Sequence, residues 1–191
     1  MDNKLKIINF LGKNLGKTFT MHQLSKLIRI PYATFYRTIN KINTLLIIDV
    51  VGNSKTVQIN IQNTITKSYL IIASQEERDE FLKKQILLKK ISDELPKENY
   101  AVIIFGSYAK NTQTAKSDID IIVINKTGEK SPSFSRYETL FKVIINPLYF
   151  KPKEVTQMLK QSEENVMKQV LKNHIILYNP ELFWNTIYGI R

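Results

Sequence analysis

Two aspartates, Asp118 and Asp120, stand in the run Ser117-Asp118-Ile119-Asp120-Ile121. In an extended chain alternate side chains share a face, so both carboxylates project to the same side. Such a pair suits a hard divalent cation: Mg2+ commonly takes one or two carboxylates and completes its shell with substrate phosphates. Upstream, Gly106-Ser107 directly follows the apolar segment Tyr100–Phe105. Glycine after a strand permits a sharp turn and a close backbone approach. A serine that opens a helix offers N–H groups and a hydroxyl to phosphate oxygens. Lys110 follows and can offset phosphate charge. Taken singly, Asp-x-Asp is most often a solvated strand end and Gly-Ser a turn. Taken together, with residues 108–117 between them and a strand on each side, they point to a site for a metal ion and a polyphosphate.

The string Phe105 through Asp120 resembles the signature of the DNA polymerase β-type nucleotidyltransferase superfamily, in which Gly-Ser precedes Asp-x-Asp by this spacing. Residues 76–191 are similar to the minimal nucleotidyltransferases of archaea and bacteria, including the Lys-Pro-Lys-Glu helix start at 151–154. The resemblance implies transfer of a nucleoside monophosphate from a nucleoside triphosphate, with release of pyrophosphate. It implies Asp118 and Asp120 as catalytic metal ligands for Mg2+ or Mn2+, where two ions can activate the attacking oxygen and stabilise the leaving group. It implies Gly106, Ser107 and Lys110 as nucleotide-binding residues and ATP as the expected donor. Acceptors in such proteins include a partner toxin modified by an antitoxin, antibiotics and RNA ends.

One position departs from the pattern. The third strand of the family usually carries a third carboxylate, which serves as metal ligand and base. Here Ile144-Ile145-Asn146-Pro147-Leu148 places Asn146 there. An amide is a weaker ligand and no base. The nearest acids, Glu138 and Glu154, lie on neighbouring segments. Two outcomes therefore stand open: an active nucleotidyltransferase, and a transcriptional regulator that senses a nucleotide without chemistry.

The elements that must position these residues give an α+β chain. The expected layout is a winged helix-turn-helix over 1–66, a linker and connecting helix over 67–99, and a small mixed-sheet domain like the polymerase β palm over 100–191. In the first part, helical spacing predicts helices over 4–15 and 32–43, with one between them capped by Thr20 and ended before Pro31. Strands follow at Leu46–Val51 and Thr56–Ile61, around a turn at Gly52–Lys55. A helix is expected over 75–94, burying Phe81, Ile86, Leu87, Ile91 and Leu95. Strands are expected at Tyr100–Phe105, Ile119–Ile124 and Val143–Phe150, and helices over 134–141, 152–162, 166–173 and from Pro180. Ile175–Tyr178 reads only as a brief apolar stretch.

The second helix of a helix-turn-helix enters the major groove. Its outward residues here are Tyr32, Thr34, Tyr36, Arg37, Asn40 and Lys41. With Lys55 at the hairpin tip, they are the candidate contacts to duplex DNA. Phe35, Ile39 and Ile42 read as core. Protein contact is the competing use of such a domain. The charge supports a polyanionic partner. The 191 residues carry a net +11, and residues 1–66 hold nine Lys or Arg against two Asp. A lysine-biased composition alone would spread that excess evenly.

There is no cysteine, which excludes disulfides and thiolate chemistry. No apolar run approaches the length of a membrane span, and residues 1–10 lack the apolar core of a signal peptide; a cytoplasmic protein without a membrane partner is expected. A second copy of the chain is a further candidate partner. His22 and His174, far apart in sequence, argue against a zinc site, and Phe183, Trp184 and Tyr188 read as a core cluster rather than a base-stacking platform.

Overall fold

The structure, a computed structural model, describes residues 1–189. The chain forms two compact units, Met1–Glu76 and Glu77–Arg191, of which residues 190 and 191 lie outside the described residues.

In the first unit, α1 (Asn3–Gly12) starts at Asp2, whose side chain accepts a hydrogen bond from the Leu5 N–H at 2.8 Å. It stops before Gly16, because the Asn14 amide caps the Phe10 carbonyl at 2.9 Å. A two-residue strand, β1 (Phe19–Thr20), leads into α2 (Met21–Leu27), where the Thr20 hydroxyl accepts from the Gln23 N–H at 3.1 Å. Such a cap satisfies an N–H that the first helical turn leaves orphaned. Next comes α3 (Tyr32–Lys41), with Phe35 and Ile39 buried against the unit's core. The helical stretch expected to reach residue 43 instead tightens into a 3-10 turn at Asn43–Leu45. β2 (Leu46–Val51) and β3 (Ser54–Ile59) form a hairpin around Gly52-Asn53, with Gly52 in the left-handed region at φ +58°. The sheet order is β1-β3-β2, antiparallel throughout.

The helix expected over 75–94 is two helices, α4 (Thr64–Leu82) and α5 (Ile86–Glu94). The division between the two units falls within α4. Bonds from Lys84 N–H to Phe81 and from Gln85 N–H to Leu82 close its end in short i→i−3 turns. The break resets the helical phase, so Ile86, expected in the core, is 84% exposed and Leu88 is buried in its place.

The second unit is built on a four-stranded mixed sheet of order β6-β5-β4-β7. β4 (Tyr100–Ile104) and β5 (Ile119–Asn125) are antiparallel and central. β6 (Ile145–Phe150) runs parallel to β5, and β7 (Ile175–Tyr178) antiparallel to β4. Pro147, which cannot donate to a ladder, is tolerated because β6 is an edge strand. Val102, Ile104, Ile119, Ile121 and Val123 form a core cluster with Leu88, Ile91, Phe134 and Tyr137. The remaining elements are α6 (Gly106–Ala109), α7 (Ser135–Phe141), α8 (Pro152–Lys160), α9 (Val166–Lys172) and α10 (Pro180–Tyr188). His174 is buried: its Nδ1 lies 2.9 Å from the Val170 carbonyl, and its ring sits 5.0 Å from Phe183. Trp184 and Phe183 are likewise buried. Among the described residues, no helix is long and apolar enough to cross a membrane.

Candidate functional site

The site grows from the end of β4. After Ile104 the chain turns through Phe105 and Gly106 into the single-turn helix α6. The Phe105 N–H donates to the Asp120 carbonyl at 3.1 Å, which fastens the turn to β5. Gly106 has φ +66°, and a Cβ there would lie 2.2 Å from Asp120 Oδ2. Glycine is therefore required twice, by backbone conformation and by the carboxylate against it. The loop back to β5 is held locally: the Thr112 N–H donates to the Ser107 carbonyl at 3.0 Å, and the Thr114 N–H to the Ser117 hydroxyl at 2.9 Å. That turn delivers Asp118 just ahead of β5 and Asp120 as its second residue, both half-buried.

β6 supplies the third position. In the parallel ladder Asp120 pairs with Asn146, and Asn146 Nδ2 donates to Asp118 Oδ2 at 3.3 Å. Asp118, Asp120 and Asn146 thus meet on one face of the sheet edge. The neighbouring acids are committed elsewhere. Glu138 accepts the Ile145 N–H at 3.0 Å, and Glu154 accepts the Lys151 N–H at 2.7 Å as part of a capping box on α8. Neither is spare as a third ligand. Among the described residues no cluster of three acids or histidines could hold a metal ion. The donor set is two carboxylates and one amide, beside a glycine that leaves room at Asp120. This fits a hard cation whose remaining ligands are phosphate oxygens and water.

The site's geometry has a counterpart in known sequences. Residues 88–181, from α5 into α10, match the family model described as "Polymerase beta, Nucleotidyltransferase". This stretch is a nucleotidyltransferase-family domain. The chain is also 28% identical, over 113 residues, to a protein of Methanocaldococcus jannaschii that carries the provisional name protein adenylyltransferase; the similarity spans 56% of this chain and 72% of that protein. No solved structure gives a significant match.

In the nucleotidyltransferase domain, a cleft of about 470 Å³ opens at Gly106 and Asp120. One wall carries Phe105, Gly106, Lys110 and Asp120; the other carries Glu164, Gln169, Lys172 and Asn173. The sequence pattern finds the first wall and misses the second. The residues of that second wall belong to α9 and its flanks, where a lysine and a glutamate look like any solvated helix surface. Asp118 and Ser107 are not among the cleft's lining residues. The groups with shifted acidity stand away from Asp118. Burial, then Tyr178 and Glu98, raises the Tyr100 phenol, at the β4 end opposite Asn125; burial also raises Tyr137 and Tyr149. Tyr100 and Tyr149 donate to the carbonyls of Pro96 and Pro132.

In the first unit Tyr32, Arg37, Asn40, Lys41 and Lys55 are exposed, while Thr34 and Tyr36 are half-buried. Lys55 at the hairpin lies 5.7 Å from the Tyr36 ring and 3.5 Å from its hydroxyl, so hairpin and α3 present these two side chains together. Arg37, exposed, donates from Nε to the Ala33 carbonyl of its own helix at 3.3 Å.

Proposed function

We propose that the second unit binds a nucleoside triphosphate with Mg2+ and transfers its nucleoside monophosphate to a hydroxyl of a protein or nucleic acid. The observation that carries this reading is Gly106, whose missing side chain is what allows the turn to lie against Asp120. Asp118 and Asp120 would hold the cation, with Gly106, Ser107 and Lys110 along the phosphates. Bound there, the cation supplies positive charge to the developing pyrophosphate and to the attacking oxygen. The acceptor hydroxyl gives its proton to solvent water, its oxygen bonds to the α-phosphorus, the bond to the bridging oxygen of the β-phosphate breaks, and pyrophosphate leaves. ATP as donor and a protein as acceptor follow the name of the Methanocaldococcus relative. A partner toxin is one such acceptor.

The first unit, with its helix–strand–helix–helix–hairpin order and net positive charge, reads best as a winged helix that binds duplex DNA through α3 and the hairpin. An antitoxin that represses its own operon would unite the two units.

Asn146 supports a second reading. Paired with Asp120 and donating to Asp118, it stands where a proton acceptor is expected and cannot be one. A nucleotide-sensing regulator without turnover needs no base at that position. The test measures magnesium-dependent nucleotide binding and transfer of an α-labelled nucleotide in the presence of candidate acceptors. Asp118→Asn with Asp120→Asn should abolish both; unimpaired binding by that variant sinks the site. Asn146→Asp should raise transfer by about 10²–10⁴-fold, the usual worth of general-base assistance. Tight binding with no transfer by either wild type or Asn146→Asp decides for the sensor.

A further inference from the structure

The cleft at Asp120 contains an ion pair that the signature residues do not account for. Lys172 Nζ lies 2.9 Å from Glu164 Oε1, and both residues line the cleft opposite Lys110. We infer that this pair is a displaceable cover over the polyphosphate site, in which an incoming nucleoside triphosphate takes the place of Glu164 as the partner of Lys172. The inference rests on the nucleotide-binding reading above and adds to it a binding residue and a built-in competitor.

Three features carry it. First, the cleft holds two cations and two acids, Lys110 and Lys172 against Asp120 and Glu164. A cation at Asp118 and Asp120 would leave much of a polyphosphate's charge unmatched, and Lys110 and Lys172 are the lysines that line the cleft to match it. Second, Lys172 closes the last turn of α9. Carbonyls at a helix C-terminus carry partial negative charge, so an intervening cation favours a phosphate there. Third, the pair is easily opened. Its side chains are 46% and 55% exposed, and Glu164 lies between α8 and α9 outside any regular element. Exposed pairs of this kind contribute little to stability. A phosphate group offers Lys172 several oxygens and more charge than one carboxylate, so exchange favours the nucleotide. When the cleft is empty, Glu164 keeps Lys172 in place at its wall.

The experiment compares magnesium-ATP and AMP binding to the full chain by calorimetry, for wild type, Lys172→Ala, Lys172→Gln and Glu164→Gln. Melting temperature serves as the check on folding. Both lysine variants should weaken ATP binding about tenfold, the worth of a charge-assisted hydrogen bond, and leave AMP binding unchanged. Glu164→Gln should tighten ATP binding by about two- to fivefold, because it removes a competitor that is itself weakly held. Equal ATP affinity in wild type and all three variants overturns the inference and leaves the nucleotide site standing. Parallel loss of ATP and AMP affinity in the lysine variants overturns it too, since that marks Lys172 as structural. Absence of wild-type binding to any of the common nucleoside triphosphates with Mg2+ overturns the nucleotide reading itself, and the cover with it.

Discussion

β2 and β5 are nearly the same strand on paper. Leu46-Ile47-Ile48-Asp49-Val50-Val51 and Ile119-Asp120-Ile121-Ile122-Val123-Ile124 are both runs of branched aliphatic residues interrupted by one aspartate. Their surroundings are opposite. β2 is the edge of a three-stranded sheet, buried only at Leu46, and Val50 is 68% exposed. β5 is central to its sheet and buried along its length apart from half-buried Asp120. Composition selects an extended chain in both places; it does not select burial. The aspartates therefore mean different things. Asp49 sits in water and needs no explanation. Asp120 interrupts a core strand, where a carboxylate costs free energy unless something compensates it. Nothing in folding requires an acid there, and the turn at Gly106 leaves space for it.

The sharpest way to break this comparison is at the two turns. Gly106 and Gly52 both have positive φ, but an added Cβ at Gly52 meets nothing within 4 Å, whereas at Gly106 it strikes Asp120. Gly106→Ala should cost about 1–3 kcal/mol of stability from strain alone and remove magnesium-nucleotide binding, read by denaturant melts and calorimetry. Gly52→Ala should bring about 1 kcal/mol of left-handed strain and leave nucleotide binding intact. Equal binding by the two variants would mean that the Gly106 turn does not shape the site.

A smaller effect separates the units by partner. Arg37→Ala with Lys41→Ala should weaken binding of the full chain to duplex DNA and flatten the log–log salt slope by about 0.9 for each phosphate that is no longer neutralised. Nucleotide affinity should not move. DNA binding with an unchanged salt slope would show that α3 is not the surface that meets the duplex. The smallest effect concerns the two aspartates directly. Asp49→Asn should change stability by no more than about 0.5 kcal/mol, and Asp120→Asn, which removes a half-buried charge, should leave stability unchanged or raise it, yet only Asp120→Asn should impair magnesium-dependent nucleotide binding. A destabilisation of more than about 2 kcal/mol in Asp120→Asn, well beyond a surface change, would recast that acid as part of the core's architecture.

What can be read from the sequence follows the same division. Gly106, Ser107, Asp118 and Asp120 are legible because one continuous segment supplies them, at a spacing set by one turn and one strand. Asn146 is legible as a departure because the β-branched and aromatic residues of Val143–Phe150 mark a strand around it. Lys172 and Glu164 are not, since α9 reaches the cleft only through the tertiary fold, and lysine and glutamate on or beside a short helix carry no signal of their own. β7 escapes notice as a strand because four apolar residues after a buried histidine have no period to read. The break at residues 83–85 is hidden because Lys83-Lys84-Gln85 are good helix formers, and only the i→i−3 bonds reveal the stop. Extending one helical phase across that break places Ile86 in the core, and the break cancels the phase.

The placement of Pro147 after Asn146 bears on how the protein ages. Asparagine deamidates when the N–H nitrogen of the next residue attacks the side-chain amide, closing a succinimide that opens to aspartate. Proline has no such N–H, so Asn146 cannot take that route. Asn53, followed by Ser54 at the hairpin turn, has no such protection. Time and heat can thus add negative charge to the tip of the hairpin sooner than to the position beside Asp118, where the fast succinimide route is closed.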